Sequence, residues 1–161
     1  LIELVAGLCM LQTGSINWAN QPAGKIKYSY LGAEFGAHFQ GLTGIANLKF
    51  WAKFLAYPLP TAKLVEELQS WGLERRVICS PIEVRRYSTG MKKRLALARV
   101  FMFPAMLLVL DEPSNGLDTN AKKIFLSKLK QHLNSGGGAL ISSHESSLLS
   151  TLKTQEVKLG Q

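Results

Sequence analysis

The stretch from Met106 to Glu145 leaves this chain few ways to fold. It opens with "MLLVLDEP", a run of branched apolar residues ended by two acids, and closes with "ALISSHE", a second apolar run with a polar end. Continuous rather than alternating apolarity is the pattern of a strand covered on both faces of a parallel sheet. Between the two, "TNAKKIFLSKLKQHL" spaces its apolar residues as an amphipathic helix does, and "NSGGG" ends it. Strand, helix, strand predicts a right-handed parallel crossover, and therefore an α/β fold with a parallel-sheet core.

The crossover also says where chemistry should gather. Open α/β sheets bind ligands outside the carboxyl ends of their strands, which is where Asp111, Glu112 and His144 fall. One carboxylate there can hold a magnesium ion, usually through water, while its neighbour polarises an attacking water as general base. His144 can donate to a terminal phosphate or orient the water. The plainer alternative is an acidic strand end that caps the next turn and a histidine that is structural. "SNGLD", directly after Pro113, adds a third feature in a telling order.

Upstream, "RRYSTGMKKRLALAR" sets two hydroxyls and a glycine before a basic amphipathic helix expected to run to about Phe103. Ser88 or Thr89 can cap this helix, and Gly90 lets a phosphate approach its free N–H groups. The alternative is an ordinary capped helix whose Lys92, Lys93 and Arg94 form a solvated face. Before it, "TGIANLKFWAKFLAY" places Ile45, Leu48, Trp51, Ala52 and Leu55 on one helical face, and "TAKLVEELQSWG" is a second helix after the breaker "PLP". "SINW" and "KIKYSYLG" read as short strands around the turn-rich "ANQPAG". "LIELVAGLCMLQTG" has helical spacing but no capping residue ahead of it, so Leu1 is expected to be a fragment boundary.

With 161 residues, 47% of them hydrophobic, the chain suits one compact domain. Its 19 Lys and Arg against 11 Asp and Glu give a net charge of +8, which favours an anionic partner: nucleotide, nucleic acid or anionic membrane face. Cys9 and Cys79 have no C-x-x-C spacing, so neither a disulfide framework nor a zinc site is indicated and a reducing cytoplasm fits. The longest apolar run, Val100 to Leu110, is too short to span a bilayer and contains Pro104.

Taken together, "YSTGM", "LLVLDEP", "SNGLD" and His144 resemble, in order and spacing, the signature, Walker B strand, D-loop and switch histidine of the ATP-binding cassette (ABC) nucleotide-binding domains. The resemblance implies a P-loop NTPase-like ABC ATPase fold over 1–161, with a helical signature subdomain at about 34–100 and a Walker B, D-loop and H-loop part of the core at 101–161. It implies ATP and Mg2+ as cofactors. It implies that Ser88, Thr89, Gly90, Ser114 and Asp118 contact nucleotide, that Asp111 is magnesium-linked through water, that Glu112 is the catalytic base and that His144 senses phosphate. The implied partners are a second ABC ATPase subunit and integral membrane transporter subunits at the cytoplasmic face of the inner membrane, with no nucleic acid.

Three departures accompany the match. No G-x-x-x-x-G-K-[ST] occurs in the 161 residues; "AGKIK" follows Lys25 with Ile26 and has no glycine five positions before Gly24. The chain alone is therefore expected to show no measurable ATP binding. Ala33, beside Glu34, stands where the family has a glutamine, and Gln40 comes too late to replace it. The signature carries Thr89 and Met91 for the usual glycine and glutamine.

Within the family, "YLGAEFGAHFQGLTGIANLKFWAKFL" resembles the ATP-binding subunits of haem exporters for cytochrome c maturation, with Ala46 where those have a glutamate that would complete a capping box with Thr43. Alternatives are an ATPase subunit of a drug or polysaccharide exporter, a soluble ABC ATPase acting on nucleic acid or ribosomes, or a non-catalytic remnant.

Overall fold

The computed structural model describes residues 1–18, 21–22, 27–32, 38–145, 149–152 and 155. At its centre, β4 (Leu107–Asp111) lies between β3 (Tyr28–Leu31) and β5 (Gly138–Ser142) and runs parallel to both. Its residues Leu107 to Leu110 are all buried, as their unbroken apolarity requires. The register pairs Leu31 with Leu110 and Asp111 with Ser142. From β4 the chain passes through α6 (Thr119–Asn134) to β5, the crossover that the sequence pattern predicts. Asp118 caps α6 by accepting the Ala121 N–H at 2.8 Å, and the helix buries Ala121, Phe125 and Leu129.

Between β3 and β4 come α2 (Gly44–Phe54), α3 (Thr61–Ser70), α4 (Arg75–Ile78) and α5 (Thr89–Met102). A continuous core joins these helices to the sheet, with Leu48, Leu64, Trp71, Leu97, Leu108 and Phe125 among its fully or nearly fully buried members. In α2, Thr43 Oγ1 accepts the Ala46 N–H at 3.2 Å, so the hydroxyl half of the cap survives without an acid at position 46. Asn47 is completely buried, bonding Phe39 on both its N–H and its carbonyl and reaching the Thr43 carbonyl. Leu55, expected on the buried face, is exposed, because α2 ends at Phe54 and Ala56 turns left-handed (φ 50°).

The first segment also departs from expectation. The helix α1 spans only Ile2–Val5, since Gly7 adopts a φ of 65° and ends it. Val5 and Ala6 pack against Leu107 and Val109, on the face of β4 opposite the main core. Two very short strands follow, β1 (Asn17–Trp18) and β2 (Gln21–Pro22), paired antiparallel. Gln21 and Pro22 thus lie in a strand where the sequence reads as turn; a proline is tolerated on such an edge. Residues 23–26 of "AGKIK", together with Ala33 and Glu34, lie outside the described residues.

Candidate functional site

The register of β4 against β5 builds the site. Opposite Asp111 stands Ser142, whose hydroxyl donates to Asp111 Oδ1. The next peptide N–H, that of Glu112, donates to both the carbonyl (3.2 Å) and the Oγ (3.1 Å) of Ser142. One serine therefore ties the two acids to the end of β5. Glu112 itself holds a left-handed backbone, φ 46°, which a residue with a Cβ adopts only when its surroundings impose it. Its carbonyl accepts the Asn115 N–H at 3.2 Å and Lys93 Nζ at 2.9 Å.

Lys93 does not belong to a solvated face. It is fully buried, and burial pushes its ammonium down to about 8 against the opposing pull of Asp111 and Glu112. The reason is its position on α5: Lys93, Ala96, Leu97 and Val100 are all buried, the i, i+3, i+4, i+7 set of one helical face. Arg94 is likewise engaged, donating to the carbonyls of Trp71 (3.2 Å) and Gly72 (2.7 Å) and pairing with Asp118.

His144 stands at the rim. Its Nε2 lies 3.5 Å from Glu112 Oε1, and its side chain is 97% exposed, so it faces whatever occupies the space beyond the strand ends. Asp111, Glu112 and His144 are thus brought together as expected. Asp118 is not with them: it caps α6, and the Ala121 N–H and then Arg94 hold its carboxyl below the usual range. Ser114 is buried in the intervening turn, where its carbonyl accepts the Leu117 N–H.

At the start of α5, Ser88 is the residue that caps, its Oγ accepting the Met91 N–H at 3.2 Å. Ser88, Gly90, Met91, Arg94 and Asp118 line, with Gly72, an open cleft of about 240 Å3. A Cβ at Gly90 would meet nothing within 4 Å, so any need for glycine there arises from a group outside the chain. Thr89 is exposed beside it. Ser142 and Lys93 are the residues sequence reasoning missed. The register of "ISSHE" against "VLDE" would have found the serine, and the buried period of α5 the lysine.

For a magnesium ion the donor set fits. Asp111 uses Oδ1 for Ser142, and among the described residues its Oδ2 receives no hydrogen bond. A partly buried aspartate at a strand end suits a hard cation that keeps most of its waters.

The family profile described as "ABC transporter" matches residues 1–115. The chain belongs to the ABC transporter family. It is 27% identical over 166 residues to the cytochrome c biogenesis ATP-binding export protein CcmA of Vibrio vulnificus (strain YJ016), covering 99% of this chain and 79% of that protein. The CcmA protein of Escherichia coli (strain K12) is 29% identical over 167 residues, covering 100% and 77%. Among solved structures, a dimeric ATP-binding cassette in a post-hydrolysis state bound to ADP and Pi superposes with a TM-score of 0.78 at 17% identity, over 91% of this chain and 69% of that one. The α/β architecture is therefore that of an ABC ATPase cassette, the ATP-hydrolysing subunit type of ABC transporters.

Proposed function

We propose that this ABC ATPase acts in a haem exporter that serves c-type cytochrome biogenesis, docked on integral membrane subunits at the cytoplasmic face of the inner membrane. The carrying observation is the acid pair that Ser142 fixes at the carboxyl end of β4. In this reading Asp111 holds magnesium through water, Glu112 draws the proton from the attacking water, and His144 contacts the terminal phosphate. Magnesium, when bound, neutralises charge on the phosphates. Ser88, Thr89 and Gly90, with Asp118 of the D-loop beside them in the same cleft, meet the nucleotide held by a second ATPase subunit, while Ser114, buried in its turn, shapes the D-loop. The helical part, about 34–100, carries the signature, and 101–161 carries the hydrolytic end.

The haem-export assignment is supported by the two CcmA relatives, each matched over nearly all of this chain. Among the described residues no helix is long and apolar enough to cross a membrane. The 161 residues by themselves, without a G-x-x-x-x-G-K-[ST], are expected not to bind ATP measurably.

The test is Glu112→Gln in the intact ATPase. Turnover should fall by about 100-fold or more with ATP binding retained; surviving turnover would remove Glu112 from the role of base. Restoration of c-type cytochromes in a strain lacking its CcmA would test the transported branch, and failure of an active, membrane-docked protein to restore them would favour another exporter.

A further inference from the structure

Among the described residues, one charged side chain lies fully inside the protein. Lys93 is fully buried on the apolar face of α5, where leucine or methionine would pack without desolvating an ammonium. Its Nζ spends a hydrogen bond on one particular carbonyl, that of Glu112, at 2.9 Å and across 19 residues of sequence. That carbonyl belongs to the one acid-site residue with a left-handed backbone.

The peptide groups of Glu112 are held from separate directions. Its N–H is fixed by Ser142 at the end of β5, and its carbonyl by Lys93 from α5 and by the Asn115 N–H of the following turn. With N–H and C=O both anchored, the Cα–Cβ direction is set, and with it the line along which the carboxylate points. Removing the lysine leaves only the turn to hold the carbonyl in a conformation that is costly for a residue with a Cβ. The lysine also sits one turn beyond the Ser88–Gly90 helix start, so one helix carries both that start and the hydrogen bond to the Glu112 backbone.

We propose that Lys93 is a positioning residue for the hydrolytic acid: through the Glu112 carbonyl it holds the carboxylate in line with the attacking water. The proposal rests on the reading of Glu112 as general base. It acts on placement of the base rather than on nucleotide affinity, since no part of Lys93 reaches the surface that nucleotide would touch.

The experiment compares Lys93→Met and Lys93→Arg in the intact ATPase, with kcat, KM for ATP and ATP-dependent dimerisation as readouts. Lys93→Met should lower kcat on the order of 100-fold, the scale of a misplaced catalytic group, with KM changed by no more than about twofold. Lys93→Arg, which keeps a donor and a charge, should recover most of the turnover. In a Glu112→Gln background, adding Lys93→Met should cost no further turnover in single-turnover measurements and leave ATP binding unchanged, because both changes disable one unit. Turnover by Lys93→Met at the wild-type rate overturns the proposal, and so does an undiminished further loss in the Glu112→Gln background. Where circular dichroism shows Lys93→Met unfolded, Lys93→Gln, uncharged and shorter, is read by the same criteria. The two ideas fail separately: an active Glu112→Gln enzyme sinks the base, whereas an inactive one beside a fully active Lys93→Met sinks only the lysine.

Discussion

The helices α5 and α6 each carry four lysines or arginines, yet they use them differently. On α5, Lys93, Arg94 and Arg99 donate to backbone carbonyls of Glu112, of Trp71 and Gly72, and of Tyr30. On α6, Lys122 and Lys128 pair with the carboxylates of Glu145 and Glu67. A carbonyl cannot follow a moving side chain, so a cation bonded to one locks a segment of main chain. A carboxylate on a flexible stem moves with its partner, and water competes for both. The charge of α5 therefore shapes the molecule, while that of α6 mainly decorates it.

Acid should break the α5 side first. His38 meets the Lys92 carbonyl at 3.1 Å through Nε2; since that carbonyl can only accept, Nε2 carries the hydrogen. Its Nδ1 is buried without a partner among the described residues, so a second proton finds no acceptor. Burial, with Arg99 and Lys92 nearby, lowers the ring from its ordinary 6.5 to about 4. Between those values the unfolded chain binds the proton and the folded chain does not. Stability is then complete above pH 6.5 and lost as pH falls towards 4, by on the order of 3 kcal/mol. Urea titrations of wild type and His38→Gln across this range should diverge; parallel curves would refute the buried neutral ring.

Next in size, Arg99→Ala should cost about 2 kcal/mol by removing a charged donor from the Tyr30 carbonyl and the cation stacked 4.8 Å over Trp51. The loss should persist in high salt. Lys128→Ala should cost about 1 kcal/mol, because its pair with Glu67 is mostly buried and its ammonium lies 5.4 Å above Trp71. Lys122→Ala should cost a few tenths of a kcal/mol at most, and 1 M salt should erase that effect. Thermal melts of the three variants in low and high salt would settle the order; an α6 variant more damaging than Arg99→Ala would dissolve the contrast.

The sequence showed what depends on period and on order. The crossover, the buried β4, the α5 cap and the convergence of Asp111, Glu112 and His144 follow from apolar spacing and strand ends. It did not show which carbonyl a lysine reaches, because "KKR" reads alike whether solvated or buried; only the alignment of Lys93 with Ala96, Leu97 and Val100 tells them apart. Nor did it show that α1 stops after one turn at Gly7, or that Asn47 enters the core, where its amide supplies what the chain around Phe39 lacks. Nor does the motif that makes Asp118 a D-loop residue say that the same carboxylate caps α6 and pairs with Arg94.

Ser142 has a consequence for the way this sheet proofreads its own assembly. Its neighbours across the strand ends are set by pairing with Asp111, and adjacent residues of β5 point to opposite faces. A slip of one position in one direction would bring Ile141 opposite Asp111, offering a hydrocarbon where the acid now meets a hydroxyl, and in the other direction it would bring Ser143 there, from the opposite face of the strand. The Glu112 amide would lose its Oγ contact at the same moment. Correct strand alignment is thus the condition under which a single side chain reaches both the Asp111 carboxylate and the Glu112 amide.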